Sequence, residues 1–307
     1  MTTPALDRRF LFVVGKGGVG KTSISAALAL AAAKRGKRVL VAMCNTKERI
    51  SHLLETDPVG EEVGTVAEGV DAVNMSPQAA LREYGAMVLK VRTVYTAVFE
   101  NRLVSAFLRG VPGIEAWSML GKAYFHTKET DEQDQPKYDL VIVDAPATGH
   151  GLDMLRVPQV LLDVAPPGLL RREAEGAMEL FRDPTRGGIV LCTIPEDMPT
   201  NETLELHEAL TEELELPIAS LVINAVLPPL FDDSHRRLIA ELQEKDGASG
   251  PFHSLLEAGR RRATREQIQT ESIQRLRSGI EAPVVKLPQL FVPEFRRSAI
   301  ESLSHCF

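Results

Sequence analysis

Apolar residues fall along this chain in short unbroken runs, and most of the runs show no alternation with polar residues. The runs are rich in β-branched residues and end at Gly, Pro, Asp or Asn, a pattern typical of parallel strands buried on both faces. The predicted strands are Phe10–Val14, Arg38–Met43, Val70–Met75, Leu140–Val143, Gly188–Thr193, Ala219–Ile223 and Ala282–Leu287.

Segments with helical spacing of apolar residues lie between these runs. The predicted helices are Ser23–Arg35, Pro77–Lys90, Thr93–Leu108, Leu152–Leu162, Leu169–Phe181, Thr200–Glu213, Asp233–Gln243 and Arg261–Ser278. Alternation of strand and helix predicts an α/β fold with a doubly wound, mostly parallel sheet and helices on both faces. We expect a single domain over residues 1–307, with a helical subregion at about 76–135 and 152–186.

A glycine-rich turn joins the first predicted strand to the first predicted helix. It reads GKGGVGKT from Gly15 to Thr22, and this order of strand, turn and helix is what a phosphate-binding loop requires. Glycines let the backbone N–H groups converge on phosphate oxygens, while Lys21 supplies a positive charge and Thr22 a hydroxyl for Mg²⁺. The predicted nucleotide-binding residues here are Gly15, Lys16, Gly17, Gly18, Val19, Gly20, Lys21, Thr22 and Ser23.

Another predicted strand, Leu140–Val143, ends in the carboxylate of Asp144. A carboxylate at a strand end beside a phosphate loop can hold the hydration shell of Mg²⁺, usually through water. Thr22 and Asp144 are therefore the predicted magnesium residues, and the predicted ligands are ATP or ADP with Mg²⁺.

Charge and cysteine spacing exclude several classes of protein. A net charge of −7 argues against a general nucleic-acid-binding surface. Cys44, Cys192 and Cys306 are far apart and form no Cys-x-x-Cys pair, so neither a zinc ribbon nor a disulfide framework is expected. The chain shows no long apolar span, so we expect no stable membrane insertion and a cytoplasmic location.

The lysine after the first glycine makes the turn more specific. The pattern K-G-G-x-G-K-T resembles the deviant Walker A loop shared by MinD, ParA, the nitrogenase iron protein and the arsenite-pump ATPases. In those proteins the first lysine reaches the nucleotide of the opposite subunit. The resemblance implies that Lys16 serves a homodimer, or a heterodimer with a paralogue; a solvated loop lysine is the alternative.

The segment from Asp144 to His150, DAPATGH, resembles the D-x-A-P-T-G-H switch of the arsenite-pump and tail-anchored-protein targeting ATPases. Either Ala147 is an extra residue between Pro and Thr, or the aspartate stands one place later than in that pattern. In that family the segment senses the γ-phosphate. The chain from Leu221 to Asn224 resembles the strand whose asparagine recognises adenine, and the chain from Leu287 to Phe291 resembles the adenine-side loop. The resemblance adds Asn224, Pro288 and Leu290 to the nucleotide-binding set; for Asn224 a turn role is the alternative.

Asn45 stands where the family carries an aspartate that orients the attacking water. An amide can hold a water but cannot accept its proton. The resemblance therefore implies a catalytic set of Lys16, Asn45 and Asp144 with slow hydrolysis, unless Glu48 or a partner's residue substitutes. A loop in which the identity of residue 45 matters little is the alternative.

Three other segments bear on partners. Leu255–Gly259 stands where the targeting branch carries its zinc-binding Cys-x-x-Cys, so no zinc is expected, and arsenite-binding cysteines have no counterpart. Leu161–Phe181 is either an amphipathic helix against the sheet or a groove for a hydrophobic client. Apolar residues on one face of Phe295–Phe307 raise membrane contact as a further possibility, although lysines are few.

These observations favour a dimeric, Mg-ATP-dependent switch ATPase that couples ATP binding and slow hydrolysis to a protein partner or client. A non-hydrolysing, nucleotide-binding regulatory subunit that pairs with a catalytic paralogue is the alternative, and Asn45 favours it. A small-molecule kinase or ligase is a third class, which Lys16 makes less favourable.

Overall fold

Eight strands form one sheet in the computed structural model, which describes residues 4–44, 47–89, 113–146, 148–246, 250 and 252–307. In chain order they are β1 Phe10–Gly15, β2 Val39–Cys44, β3 Gly64–Ala67, β4 Val70–Met75, β5 Leu140–Asp144, β6 Gly187–Thr193, β7 Ile218–Val226 and β8 Val284–Pro288. The spatial order is β3-β4-β2-β5-β1-β6-β7-β8, with β3 antiparallel to β4 and every other pair parallel. The predicted mostly parallel α/β fold is confirmed.

Helices follow most of the strands. They are α1 Lys21–Ala33, α2 Ile50–Leu54, α3 Pro77–Leu89, α4 Ile114–His126, α5 Thr148–Val164, α6 Leu169–Arg182, α7 Asp197–Glu208, α8 Asp233–Asp246, α9 His253–Gly279 and α10 Arg297–Ser304. A π-helical turn, Ala209–Glu213, continues α7. The predicted helix Thr93–Leu108 and the last residue of the predicted helix Pro77–Lys90 lie outside the described residues.

Side chains of β1 alternate between two hydrophobic cores, one on each face of the sheet. Phe10, Phe12 and Val14 pack into one core, and Leu11 and Val13 into the other. The second core also holds α1, whose apolar residues surround its whole circumference and are buried from Ile24 to Ala32, as expected for a helix without a polar face. Helices α3, α4 and α6 fall within the range of the predicted helical subregion, and α5 begins four residues before its second part; the division into domains stays a prediction.

The described residues do not form the client groove that was one interpretation of Leu161–Phe181. Ala177, Met178, Leu180 and Phe181 of α6 are buried, and the Phe181 ring stacks on that of Phe10 with 4.6 Å between centroids. Burying this apolar stripe against the sheet removes it from solvent, so the other interpretation, an amphipathic helix covering the sheet, is the one that holds.

The apolar face of the last helix is likewise part of the core. Ile300, Leu303 and Phe307 are buried, and α10 packs against α1. These side chains cannot enter a lipid surface without leaving the core, so the membrane-contact alternative for Phe295–Phe307 is wrong. Among the described helices, none has both the length and the apolar character needed to cross a membrane.

Four of the described strands and α-helices are absent from the predicted lists, and the edge strand shows why. Two residues of β3, Gly64 and Thr65, are exposed, so this strand has no continuous apolar run to reveal it. It is held by antiparallel pairing to β4 rather than by burial on both faces. The helices α2, α4 and α10 are the other elements that were not predicted.

Candidate nucleotide site

The glycine-rich turn leaves the centre of the sheet. Strand β1 lies between β5 and β6, and the turn that follows it leads directly into α1. Parallel strands present their carboxyl ends at one edge, where ligands of doubly wound proteins bind. The turn, the end of β5 and the end of β6 therefore meet at this edge.

Two glycines permit the path of this turn. Gly15 pairs in register with Cys192 of β6, and a Cβ on Gly15 would come within 2.1 Å of the Cys192 carbonyl oxygen. Gly20 has a φ of +95° and precedes the first turn of α1, and its Cβ would lie 2.4 Å from Asn224 Nδ2. Any other residue would have to push back a backbone or a packed amide, so the curled backbone depends on glycine at both ends.

The remainder of the turn divides into an exposed tip and a buried anchor. Gly17 and Gly18 are exposed, whereas the Val19 side chain is buried in the core beside α1. Ser23 follows Thr22 within the first turn of α1 and is partly exposed. The N–H groups of a first helical turn lack intrahelical acceptors, so they can donate to an anion at this place.

The Lys21 ammonium curls back over the turn. Its Nζ donates to the carbonyl oxygens of Gly15, at 2.9 Å, and Lys16, at 3.1 Å. Burial lowers the pKa of Lys21, and the negative charge of Asp144 opposes that change. A partly desolvated cation that is satisfied only by neutral carbonyl groups gains from a phosphate oxygen, so the site fits an anionic ligand.

Asp144 lies at the end of β5, with 1% of its surface exposed, and faces two hydroxyl groups of α1. Thr22 Oγ1 donates to its Oδ2 at 2.7 Å, and Ser25 Oγ donates to its Oδ1 at 3.2 Å. Burial raises the pKa of the Asp144 carboxyl, while the hydrogen bonds from Thr22 and Ser25 and the charge of Lys21 oppose the rise. Carboxylate and hydroxyl oxygens are hard ligands, and this pair fits Mg²⁺.

The structure thus brings together the two residues predicted to serve magnesium, and it adds Ser25, which sequence reasoning missed. Ser25 follows Thr22 by three residues, and positions three apart share one face of a helix. This spacing was the signal in the sequence from which Ser25 could have been predicted.

On the other side of the turn, Asn224 near the end of β7 donates from Nδ2 to the Val19 carbonyl oxygen at 2.8 Å. The next residue, Ala225, has a φ of +55°, and the pairing of β7 with β8 is irregular here. A left-handed alanine is uncommon and marks a place where tertiary contacts override local preference. Nothing in the sequence pointed to Ala225.

Pro288 and Leu290 lie at the carboxyl end of β8. Pro288 is exposed, and Leu290 packs at the margin of the second core. The residue between them, Gln289, donates its backbone N–H to the Val226 carbonyl oxygen at 2.8 Å, which ties this loop to the end of β7. The predicted adenine-side residues therefore occupy the same edge of the sheet as Asn224.

Two residues of the predicted switches, Asn45 and Ala147, lie outside the described residues. Glu48, considered as a substitute for a catalytic carboxylate, accepts hydrogen bonds from both the backbone N–H and the hydroxyl of Ser51. These contacts hold the Glu48 carboxylate against Ser51 in the first turn of α2.

Lys16 extends away from the turn and meets Glu202 of α7. Its Nζ donates to Glu202 Oε1 at 2.7 Å, and 31% and 34% of the two side chains are exposed. No sequence pattern pointed to Glu202, because 186 residues separate the pair. Lys16 is therefore paired within its own chain in this conformation.

Comparison with known proteins identifies the family. The model of the anion-transporting ATPases matches residues 8–165. The chain belongs to this ATPase family. ATPase BagA of Mycobacterium tuberculosis is 30% identical over 299 residues, which cover 91% of this chain and 87% of that protein.

The chain is also similar to two other named ATPases. An arsenical pump-driving ATPase of Escherichia coli is 29% identical over 71% of this chain and 40% of that protein. ATPase GET3 of Kluyveromyces lactis is 26% identical over 73% of this chain and 74% of that protein. The resemblance drawn from the sequence motifs is confirmed at the level of the family, and the chain is an ATPase.

The two lysines of the glycine-rich turn differ in their contacts. Lys21 contacts carbonyl groups of the loop itself, whereas Lys16 contacts an acidic residue of another helix. The loop can therefore hold phosphate through Lys21 and its backbone without moving Lys16. Chemistry that involves Lys16 requires the ion pair with Glu202 to open first.

Proposed function

We propose that this ATPase is a switch that binds MgATP at Gly15–Ser23, dimerises in response and couples slow hydrolysis to a protein partner. The contact between Thr22 and the buried Asp144 carries the proposal, since it joins the phosphate loop to a carboxylate that has little other reason to be buried at a strand end. Burying a carboxylate is costly unless a cation or hydrogen bonds compensate.

Each residue has a defined part in nucleotide binding under this proposal. The loop N–H groups and Lys21 hold the phosphates, while Thr22 and Asp144 hold Mg²⁺, the aspartate through water. When bound, Mg²⁺ neutralises phosphate charge. Asn224, Pro288 and Leu290 form the adenine side, where the amide group of Asn224 can both donate and accept.

ATP-dependent dimerisation should require Lys16. Lys16→Ala should bind MgATP within about twofold of the wild-type affinity, because Lys21 and the backbone make the phosphate contacts. It should nevertheless stay monomeric at ATP concentrations that make the wild type dimeric. Sedimentation with a non-hydrolysable ATP analogue measures both states, and Lys286→Ala, at an exposed position of β8, is the matched control. Equal masses for the wild type and Lys16→Ala at every nucleotide concentration would contradict the prediction.

Asn45→Asp should accelerate phosphate release if the amide limits hydrolysis. A positioned base contributes about 10²–10⁴-fold, so a partial contribution of about tenfold is measurable. Steady-state phosphate release by the purified protein tests this. A wild-type rate equal to or above that of Asn45→Asp would remove residue 45 as the limiting feature.

The regulatory-subunit alternative predicts a different pattern. The wild type would then bind MgATP but release no phosphate, alone or after Asn45→Asp, and turnover would appear only when a catalytic paralogue is added. The unusual Asn45 is the observation that favours this alternative.

We propose a protein rather than arsenite as the partner that the switch serves. Cys44 and Cys192 are buried on β2 and β6, which are separated by β5 and β1, so their backbones lie about 14 Å apart at the usual strand spacing. Cys306, beyond α10, is exposed. These three thiols do not form a joint site for a thiophilic ion. Thermal unfolding that is unchanged by arsenite but shifted by MgATP is the expected result.

A further inference from the structure

We propose that Glu202 is a positioning residue that holds Lys16 in its own subunit and thereby sets the ATP concentration at which the protein dimerises. The inference rests on the proposed ATP-dependent dimer and adds a residue to it. The observation that motivates it is the 2.7 Å contact between Lys16 Nζ and Glu202 Oε1.

The topology of the sheet brings this acid to the phosphate loop. Strand β6 runs parallel to β1, with Gly15 opposite Cys192, and α7 follows β6. Consequently α7 begins at the carboxyl edge beside the loop, and a side chain one turn into the helix can reach Lys16. Lys21 donates to the carbonyl oxygens of Gly15 and Lys16 in the loop, so the two lysine side chains do not compete for one partner.

Helix α7 holds Glu202 in a defined place. Thr203, the next residue, donates its hydroxyl to the Pro199 carbonyl oxygen at 2.6 Å, and Thr193 at the end of β6 donates to the same oxygen at 3.3 Å. Asn201, the preceding residue, accepts a hydrogen bond from Arg275 of α9. These contacts tie the helix around Glu202 to β6 and α9, so the backbone position from which Glu202 reaches Lys16 is defined.

The Lys16–Glu202 ion pair is of intermediate strength, so it can hold Lys16 within its own chain and can still open. Both side chains are about one third exposed, between a solvated surface pair and a buried one. A ligand shifts an equilibrium only by its preference for one of the two states. Any use of Lys16 across a dimer must first break this pair, so the pair raises the ATP concentration needed for dimerisation.

Removing the charge of Glu202 should therefore lower that concentration. An ion pair of this kind changes an equilibrium up to about fivefold. Two such pairs open and two ATP molecules bind per dimer, so the ATP concentration at the midpoint should fall up to about fivefold. Glu202→Gln should show the shift, and Glu202→Asp, which keeps the charge on a shorter side chain, should lie between it and the wild type. Glu205→Gln, at an exposed position of the same helix, should not shift the midpoint.

Sedimentation during titration with MgATP and with a non-hydrolysable analogue gives the midpoint. In a Lys16→Ala background, Glu202→Gln should not restore ATP-dependent dimerisation, because the lysine that the proposed dimer uses is absent. The second readout does not need a dimer. It is amine labelling of the nucleotide-free protein, quantified by mass spectrometry with Lys286 as internal reference. Labelling of Lys16 should be up to about fivefold faster in Glu202→Gln than in the wild type.

The outcomes separate the two proposals. A midpoint that is unchanged or raised in Glu202→Gln, while the wild type dimerises, overturns the role of Glu202. Unchanged labelling of Lys16 shows that the contact does not hold the lysine and overturns it as well. The wild type could instead stay monomeric at saturating MgATP while Lys16 is labelled faster in Glu202→Gln. That result overturns the proposed ATP-dependent dimer and leaves only the intrachain contact between Lys16 and Glu202.

Discussion

Lys21→Ala should lose most of its affinity for MgATP. The Lys21 ammonium is partly desolvated and is held over the phosphate loop by the carbonyl oxygens of Gly15 and Lys16. Charge-assisted hydrogen bonds are worth about 1.5–3 kcal/mol each, and about 1.4 kcal/mol corresponds to a factor of ten in affinity. The loss of two such bonds to phosphate predicts a weakening of at least about 100-fold in titration calorimetry.

The control for this prediction must separate lost charge from a damaged loop. Lys286→Ala removes a lysine from an exposed position of β8 and should keep wild-type affinity. Because Lys21 also donates to loop carbonyls, the thermal unfolding of Lys21→Ala without nucleotide should be compared with the wild type. An unchanged affinity in a correctly folded Lys21→Ala protein would remove the loop from the nucleotide site.

Asp144→Asn should abolish ATP turnover and at the same time stabilise the protein without nucleotide. Burial disfavours the ionised carboxylate, and its raised pKa expresses this even though Thr22 and Ser25 donate to it. A neutral amide of the same shape removes the buried charge, so the melting temperature at pH 7 should rise. Charge stabilisation by a metal is worth several kcal/mol, so loss of the metal residue should slow turnover by at least about 100-fold.

Two measurements test this prediction separately. Phosphate release should be lost, and the increase in nucleotide affinity that Mg²⁺ produces in the wild type should be absent in Asp144→Asn. Asp57→Asn changes an exposed aspartate and should affect neither turnover nor melting temperature. Normal turnover in Asp144→Asn would exclude Asp144 from the metal site, and a lower melting temperature would show that its hydrogen bonds outweigh the buried charge.

The phosphate loop and its flanks could be predicted because their determinants are local. A continuous apolar run specifies β1, the glycines specify the turn, and the absence of Gly and Pro specifies α1. Asp144 was predictable for the same reason, since a polar residue at the end of a buried run comes to the carboxyl edge of the sheet.

Residues that act through long-range contacts could not be predicted in this way. Glu202 is 186 residues from Lys16, and only the strand order β1-β6 brings its helix to the loop. The apolar stripes of α6 and α10 have the same pattern whether they face the core, a client or a lipid surface. Only the tertiary packing of Phe181 and Leu303 decides between these possibilities.

The central position of β1 has a consequence for experiments on this ATPase. Strands β5 and β6 flank β1 on both sides, so its amide protons should exchange with solvent only when the whole sheet opens. The base of the phosphate loop then cannot unfold separately from the rest of the sheet. A nucleotide bound there should raise the free energy of global unfolding by the whole contribution expected from binding only to the folded state. That contribution is about 2.7 kcal/mol at a ligand concentration 100-fold above Kd. Thermal-shift measurements can therefore rank nucleotides and competitors by affinity without an activity assay.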